Sequence, residues 1–101
     1  MTESTLRIVR AIRAIPKGKV SSYGAIALAA GSLNDVMQVV RVLHSLSEKL
    51  DLPWHRVIRS NGSIALKEGK RKKLQIELLR AEGVEVSPDG LIDMSRFKAY
   101  T

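Results

Sequence analysis

Apolar residues recur at helical spacing in two stretches of the chain. Over residues 3–15, Leu6, Val9 and Ile12 repeat every third position, as on one face of an amphipathic helix. A second stripe runs over residues 35–47 and consists of Val36, Val39, Val40, Leu43 and Leu46. We therefore predict two helices that pack their apolar faces into a shared core.

A short Ala-rich segment lies between the two stripes. Residues 23–30 are predicted to form a helix with Ser21 or Ser22 as its N-cap, because a hydroxyl there can accept a backbone N–H. The cap of the next helix is expected at Ser32 or Asn34. A glycine in this connection fits the tight corner of a helix-turn-helix, a corner that small helical proteins also contain by chance.

The second half of the chain has a different pattern. Residues 57–58 and 63–66 alternate around an Asn-Gly pair at 61–62, which predicts a short β-hairpin. A basic run leads into a predicted helix over 71–80, and a last helical turn is expected at 94–97. The apolar face of the helix over 71–80 is predicted to contain Leu74, Leu78 and Ala81. The predicted fold class is mainly α with a small β-hairpin.

Charge and size limit the possible functions. The chain has 101 residues, so we expect one domain spanning 1–101. Lys and Arg number 17 against 10 Asp and Glu, and the formal net charge of +7 favours a nucleic-acid partner. No stretch is long and apolar enough to span a bilayer, so no membrane partner is expected.

Cysteine is absent, which excludes a disulfide, a thiolate nucleophile and a cysteine-ligated zinc. The two histidines, His44 and His55, have no clustered acidic neighbours, so neither a metal nor another cofactor is expected. The N-terminus lacks an apolar signal core, and we expect a cytoplasmic protein that acts as a monomer.

The only tryptophan of the chain, Trp54, lies in a run of Pro-Trp-His-Arg-Val at 53–57. Proline restricts both its own backbone and that of the preceding residue, so the ring is presented from a stiff, extended segment. The residues alone leave two interpretations open. Trp54 either anchors the core of a small domain or lines a binding site.

The run at 53–57 resembles the Pro-Cys-His-Arg-Val active-site motif of the O6-alkylguanine-DNA alkyltransferases, with Trp in place of the nucleophilic Cys. That replacement is the mark of the alkyltransferase-like proteins, relatives of the same fold without an acceptor thiol. Residues 15–27 and 78–83 are similar to two further blocks of the family, and the resemblance covers 15–83. It implies the family's C-terminal domain, with a winged-helix or helix-turn-helix fold.

The resemblance also implies how DNA is bound. Tyr23 would crowd the phosphate of the target nucleotide and promote its rotation out of the duplex, into a pocket lined by Trp54. The helix over 35–47 would lie in the minor groove, with Lys67 placing a cation near the flipped base. The side chains expected to face the DNA from this helix are Met37, Gln38 and Arg41. Met37 stands where the family has an arginine finger, and Leu46 stands where it has an Asn hinge.

His55 and Glu82 match the pair that activates the thiolate in the transferases, and Arg56 matches a motif arginine that braces the pocket. Alkyl transfer from an O6 ether needs a strong, soft nucleophile, and the indole nitrogen of Trp54 is a donor with essentially no basicity. A structural role is therefore expected for His55 and Glu82.

Together these features predict a protein that binds O6-alkylguanine in double-stranded DNA and flips it without alkyl transfer. The family further implies that it flags the lesion for nucleotide excision repair proteins. One alternative is a helix-turn-helix transcriptional regulator of undamaged DNA, which would need base-reading side chains on residues 35–47. Another is an enzyme that uses His55 or Glu82 on the flipped base.

Overall fold

A computed structural model describes residues 1–31 and 35–99 of the chain. Its elements are helix α1 (Glu3–Arg13), strand β1 (Ser21–Ser22), helix α2 (Tyr23–Ala29), helix α3 (Val36–Leu50), a 3-10 turn (Trp54–Arg56), strand β2 (Val57–Ile58), helix α4 (Lys70–Ala81) and helix α5 (Met94–Phe97). The caps expected at Ser32 and Asn34 lie outside the described residues. The Asp35 side chain accepts the Gln38 N–H at 3.0 Å and caps α3.

Helices α1, α2 and α3 pack together and bury the first of two apolar clusters. The Ser22 hydroxyl accepts the Ala25 N–H at 3.1 Å and starts α2, which confirms one of the two caps predicted there. Fully buried members of the cluster include Ile8, Ile12, Ile26 and Val39. Val9 and Ile12 of the predicted α1 stripe are buried in this core, as expected for an amphipathic helix. The α3 stripe is confirmed only in part, because Val39 is buried and Leu43 and Leu46 pack against the core. Val36 and Val40, also predicted to face the core, are exposed.

The two short strands pair in parallel, and this corrects the predicted hairpin. Ser21 lies opposite Val57 and Ser22 opposite Ile58. The Arg59 N–H still donates to the Ser63 carbonyl at 2.9 Å, but Ser63 then pairs with Leu91 rather than continuing a ladder beside β2. An isolated two-stranded hairpin has marginal stability in water. Strand β2 instead pairs with β1, and both of its residues are buried.

Helix α4 covers the second apolar cluster, and its buried face differs from the predicted one. Gln75 and Leu79 are buried, while Leu74 is 45% exposed. The Gln75 amide donates to the His55 carbonyl at 3.1 Å and to the Val57 carbonyl at 3.2 Å, so a polar residue turns inward. The other members of this cluster are Val20, Ile58, Ile64, Val84, Val86 and Ile92.

The architecture is thus mainly helical, as predicted, with a two-stranded parallel sheet joining the chain after α1 to the segment before α4. None of the described helices is long and apolar enough to cross a membrane. Within residues 1–31 and 35–99, no cluster of His, Asp and Glu side chains could hold a metal ion.

Candidate nucleic-acid interface

Trp54 is presented from a bend between α3 and β2. Helix α3 ends at Leu50, and its C-cap Asp51 adopts a left-handed conformation (φ 51°). Leu52 is then buried as an anchor, and Pro53 starts the 3-10 turn that contains Trp54. The Trp54 side chain is only half-buried and belongs to neither apolar cluster, so the core interpretation of this residue is wrong.

The ring of Trp54 forms one wall of a cleft of about 330 Å³. Its lining residues come from the start of α2, one face of α3, the bend, and the start of α4. They are Tyr23, Val40, Leu43, His44, Ser47, Trp54, Val57, Leu66, Arg71 and Gln75. A mostly apolar cavity with a few polar groups is the usual form of a site for a planar organic group.

A cation lies directly over the aromatic wall. The guanidinium carbon of Arg71 is 5.4 Å from the centroid of the Trp54 ring, within the range of a cation–π interaction. Lys67, expected to provide this cation, is exposed and does not line the cleft. The sequence did signal Arg71, because it lies four residues after Lys67 in the same basic run, but no motif distinguishes it from its neighbours.

Behind the Trp54 bend, a carboxylate ties three parts of the chain together. Glu82 accepts hydrogen bonds from Arg56 Nε at 2.9 Å and Arg56 Nη2 at 2.6 Å. His55 Nε2 lies 3.0 Å from the same carboxylate, and Arg56 Nη1 donates to the Ile15 carbonyl at 2.9 Å. These contacts place His55 and Glu82 together, as predicted. Arg56 lies behind the cleft and does not line it.

The environment of Glu82 stabilises its ionised form. Its hydrogen bonds from Arg56 are the largest cause, and with the contact to His55 they lower the Glu82 pKa to about 2 despite the opposing effect of burial. A carboxylate with so low a pKa, already occupied by several donors, is a poor proton acceptor. The arrangement suits a structural clamp better than a general base.

Tyr23 closes the other side of the cleft, at the first position of α2. It is half-buried, and burial raises the pKa of its phenol, with the charge of Arg59 acting in the opposite direction. The hydroxyl therefore stays protonated at neutral pH and can donate a hydrogen bond.

The outward face of α3 is apolar where it was expected to meet DNA. Met37 is 58% exposed, Val36 38% and Val40 37%, which excludes a core position for Met37. Arg41 is also exposed. Gln38 is turned away towards α1, where its amide donates to the Ser4 hydroxyl at 2.9 Å, so it is less available to DNA than the sequence predicted.

The class of protein follows from comparison of the chain with known families. Residues 3–84 match the family model of the 6-O-methylguanine DNA methyltransferase DNA-binding domain. The match spans most of the chain, and the protein belongs to this family. The family resemblance and the predicted fold class are thereby confirmed.

Two individual relatives match the chain over most of its length. The chain is 44% identical over 98 residues to the DNA base-flipping protein of Vibrio parahaemolyticus serotype O3:K6 (strain AQ3810), covering 97% of each chain. It is 37% identical over 87 residues to Alkyltransferase-like protein 1 of Schizosaccharomyces pombe, covering 85% of this chain and 81% of the relative.

The chain is also similar to solved structures of two proteins in complex with DNA. The chain superposes on S. pombe Atl1, crystallised with damaged DNA containing O6-carboxymethylguanine, with a TM-score of 0.87 and 30% identity, covering 100% of this chain and 98% of that one. Mycobacterium tuberculosis OGT in complex with DNA matches with a TM-score of 0.68 and 26% identity, over 98% of this chain and 54% of that one.

Proposed function

We propose that this protein binds O6-alkylguanine in double-stranded DNA by rotating the damaged nucleotide into the cleft beside Trp54, without removing the alkyl group. The observation that supports it most strongly is the cleft itself, in which an aromatic ring occupies the place of the family's acceptor thiol. The relatives named for base flipping, and the Atl1 complex with damaged DNA, support the same function.

The walls of the cleft offer the kinds of contact that a flipped base makes. Trp54 offers a flat apolar surface for stacking, and the Tyr23 hydroxyl offers a polar contact at the wall of the cleft. The guanidinium of Arg71 is positioned over the ring, where it favours an electron-rich π system or a hydrogen-bond acceptor on the ligand.

Binding without alkyl transfer follows from the side chains present. The chain has no cysteine, and Trp54 cannot accept an alkyl group at ordinary pH. His55 and Glu82, the residues an alternative enzyme would use, are held in the clamp with Arg56. The alternative of catalysis on the flipped base is therefore disfavoured by geometry and by the low pKa of Glu82.

A regulator of undamaged sequence is also disfavoured. Reading base edges requires hydrogen-bonding side chains on the face that enters the groove. The start of α3 instead presents Val36, Met37 and Val40, and Gln38 is engaged with α1, which leaves Arg41 as the exposed hydrogen-bonding residue among those expected to face the DNA. An apolar face is typical of proteins that wedge into a base step and deform the duplex.

Bound to a lesion, the protein would leave the damage unrepaired, and its effect would then depend on a second system. We include in the proposal that the complex marks the site for nucleotide excision repair proteins. Retention of the alkyl group and an opened base step are the two features such a mark would present.

Replacement of Tyr23 tests the flipping step. Tyr23→Ala should weaken binding to an O6-methylguanine duplex by about 1–3 kcal/mol, because protein contacts must offset the cost of unstacking the base. Tyr23→Phe should lose less, since the bulk remains. A fluorescent adenine analogue next to the lesion reports the opened stack in the same titration.

The thermal stability of each variant provides the control, because Tyr23 also packs against the first apolar cluster. An unchanged preference for damaged DNA in a folded Tyr23→Ala protein would contradict the proposal. Mass measurement of protein and DNA after incubation tests the second half, and an alkylated protein or dealkylated guanine would refute binding without transfer.

A further inference from the structure

Two further depressions share lining residues with the cleft beside Trp54. The first, a groove, shares His44 and Ser47 and is also lined by Glu48 and Asp51. On the other side of Tyr23 lies a cleft of about 410 Å³. Its lining residues are Tyr23, Gly24, Val36, Arg59, Ser60 and Asn61.

The charges of the two depressions differ. A nucleotide whose base occupies the Trp54 cleft must place its phosphates in a neighbouring depression, because only one sugar separates them. The groove beyond His44 is lined by the carboxylates of Glu48 and Asp51 and by the cation Arg71, so two negative charges face one positive charge where a phosphate would lie. Among the described residues, the cleft beyond Tyr23 is lined by the cation Arg59 and by no carboxylate.

The turn that presents Arg59 is rigid. The Arg59 N–H donates to the Ser63 carbonyl at 2.9 Å, and the Gly62 N–H returns to the Arg59 carbonyl at 2.9 Å. The Asn61 side-chain oxygen accepts both the N–H and the hydroxyl of Ser63, at 3.0 and 2.7 Å. With its oxygen so engaged, Asn61 has its amide NH₂ group available as a donor.

Gly62 fixes this turn against the rest of the fold. It adopts φ +90°, and a Cβ there would lie 2.3 Å from the Ile92 carbonyl oxygen, so only glycine fits. The Ile92 N–H donates to the Gly62 carbonyl at 2.8 Å. The backbone of Arg59 is thus held beside Tyr23 before any ligand arrives, which reduces the part of the entropy cost of binding that comes from ordering the turn.

The guanidinium of Arg59 is free to meet a ligand. It is exposed, and within residues 1–31 and 35–99 no hydrogen bond or ion pair involves its side chain. Its charge reaches the Tyr23 hydroxyl, whose pKa it acts to lower. A planar cation without a counter-ion in this part of the chain, next to a hydroxyl donor, is a suitable arrangement for a phosphate.

We infer that the turn at 59–61, with Arg59 as its charged member, binds a backbone phosphate flanking the flipped nucleotide, on the side of Tyr23 opposite the base. This inference rests on the proposed function. It assigns Arg59 as a positioning residue, because its bond to the phosphate holds the nucleotide rotated while its base lies beside Trp54.

A neutral linkage in the DNA tests this contact directly. Arg59→Gln should weaken binding to an O6-methylguanine duplex about tenfold and lower the slope of log affinity against log salt by about one. The titration is repeated with duplexes that contain a single methylphosphonate 5′ or 3′ to the lesion. At one of these two linkages, wild type and Arg59→Gln should bind equally, since the charge that Arg59 contacts is gone.

Arg59→Lys and Arg10→Gln are the matched variants. Lysine keeps the charge and should retain most of the affinity, whereas Arg10 is an exposed arginine of α1 whose loss should have little effect. Unchanged melting temperatures show that the turn is intact. A loss for Arg59→Gln that is the same on both methylphosphonate duplexes as on the natural backbone would overturn the inference, as would no loss at all.

The wild-type comparison separates this outcome from failure of the proposed function. If the wild type prefers O6-methylguanine to guanine, but the losses from Arg59→Gln and from each methylphosphonate are additive, only the phosphate contact is refuted. A wild-type protein with no such preference refutes lesion binding, and the assignment of Arg59 to a flipped nucleotide is refuted with it.

Discussion

Met37 is a large apolar side chain that stays 58% exposed at the start of α3. Its neighbours Val36 and Val40 are exposed to lesser degrees on the same helix. A patch of exposed apolar side chains is often a binding surface, because leaving methionine in water forgoes the free energy of burying it. In a DNA complex, an unbranched and polarizable side chain can enter the base step from which a nucleotide has been rotated.

Substitutions at Met37 test this wedge. Met37→Ala should cost about 1–3 kcal/mol in binding to an O6-methylguanine duplex, comparable with the loss of a stacking contact. Met37→Arg should tighten binding, because a guanidinium can stack and also engage the phosphate field. Since Met37 is exposed, neither variant should lower the melting temperature of the free protein. Weaker binding by Met37→Arg would contradict a wedge at this position.

Glu82 gives the protein a defined response to acid. Its folded pKa of about 2 lies below the usual 4.5, so its contribution to stability is fully present above pH 4.5. That contribution is lost as the pH falls from about 4.5 towards about 2, because the carboxyl must then be protonated within the clamp.

Glu82→Gln should therefore destabilise the protein at pH 7 by about 1–3 kcal/mol after allowance for solvent screening, and flatten the stability profile below pH 4.5. Denaturant melts between pH 7 and pH 3 measure both effects. Glu77→Gln is the matched control, since Glu77 is exposed on α4, the helix that Glu82 follows directly. Equal profiles for the wild type and Glu82→Gln would show that the clamp does not act in solution.

At the scale of elements, the bend from Asp51 to Arg56 determines which chemistry is possible. It places Trp54 in the cleft and His55 and Arg56 behind it, on the Glu82 carboxylate. A nucleophile at position 54 would need a base that could ionise it and a turn that aimed it. In this protein the Glu82 carboxylate, which would have to act with His55 as the base, already accepts hydrogen bonds from Arg56. Leu46 stands where the family resemblance expects the hinge Asn.

Trp54→Cys should accordingly restore little alkyl transfer. We expect weaker binding to an O6-methylguanine duplex, because the stacking surface is lost, with no stoichiometric methylation of the new thiol. Mass spectrometry of the protein after incubation measures this outcome. Rapid methylation of the introduced thiol would show that the clamp can still activate it.

Periodicity predicted the elements that have a single buried face. Helix α1 agrees with its stripe, and Ser22 was among the expected caps of α2. Helix α3 agrees only in part, because Val36 and Val40 of its stripe are exposed. The pairing of β2 was not predictable in this way, because its partner β1 lies far away in the sequence and is only Ser21–Ser22. The face of α4 was also wrong, since Gln75 is buried through hydrogen bonds to carbonyls that local pattern cannot reveal.

In the candidate site too, sequence motifs identified some residues, while others depend on tertiary packing. The motif at 53–57 led to Trp54, and the family blocks led to Tyr23, His55 and Glu82. Arg71 was missed because its position over Trp54 depends on how α4 docks against the bend. Arg59 was missed because its proximity to Tyr23 results from the parallel pairing of β1 and β2, which brings the two segments together.

At the scale of the whole molecule, a net charge of +7 on 101 residues supplies non-specific attraction to any duplex. The preference for damage must then come from the cleft and its surroundings rather than from charge. Raising the salt concentration should weaken binding to damaged and undamaged DNA together, and the salt slopes of the two affinities should differ by no more than the unit of about one assigned to Arg59.

The most direct test of the account is therefore a titration of matched duplexes, with and without one O6-methylguanine, at moderate salt and with mass measurement of the recovered DNA. We predict tighter binding to the damaged duplex by about tenfold or more, a difference of about 1.4 kcal/mol, with the methyl group still on the guanine. Equal affinities for the two duplexes, or recovery of unmethylated guanine, would contradict it.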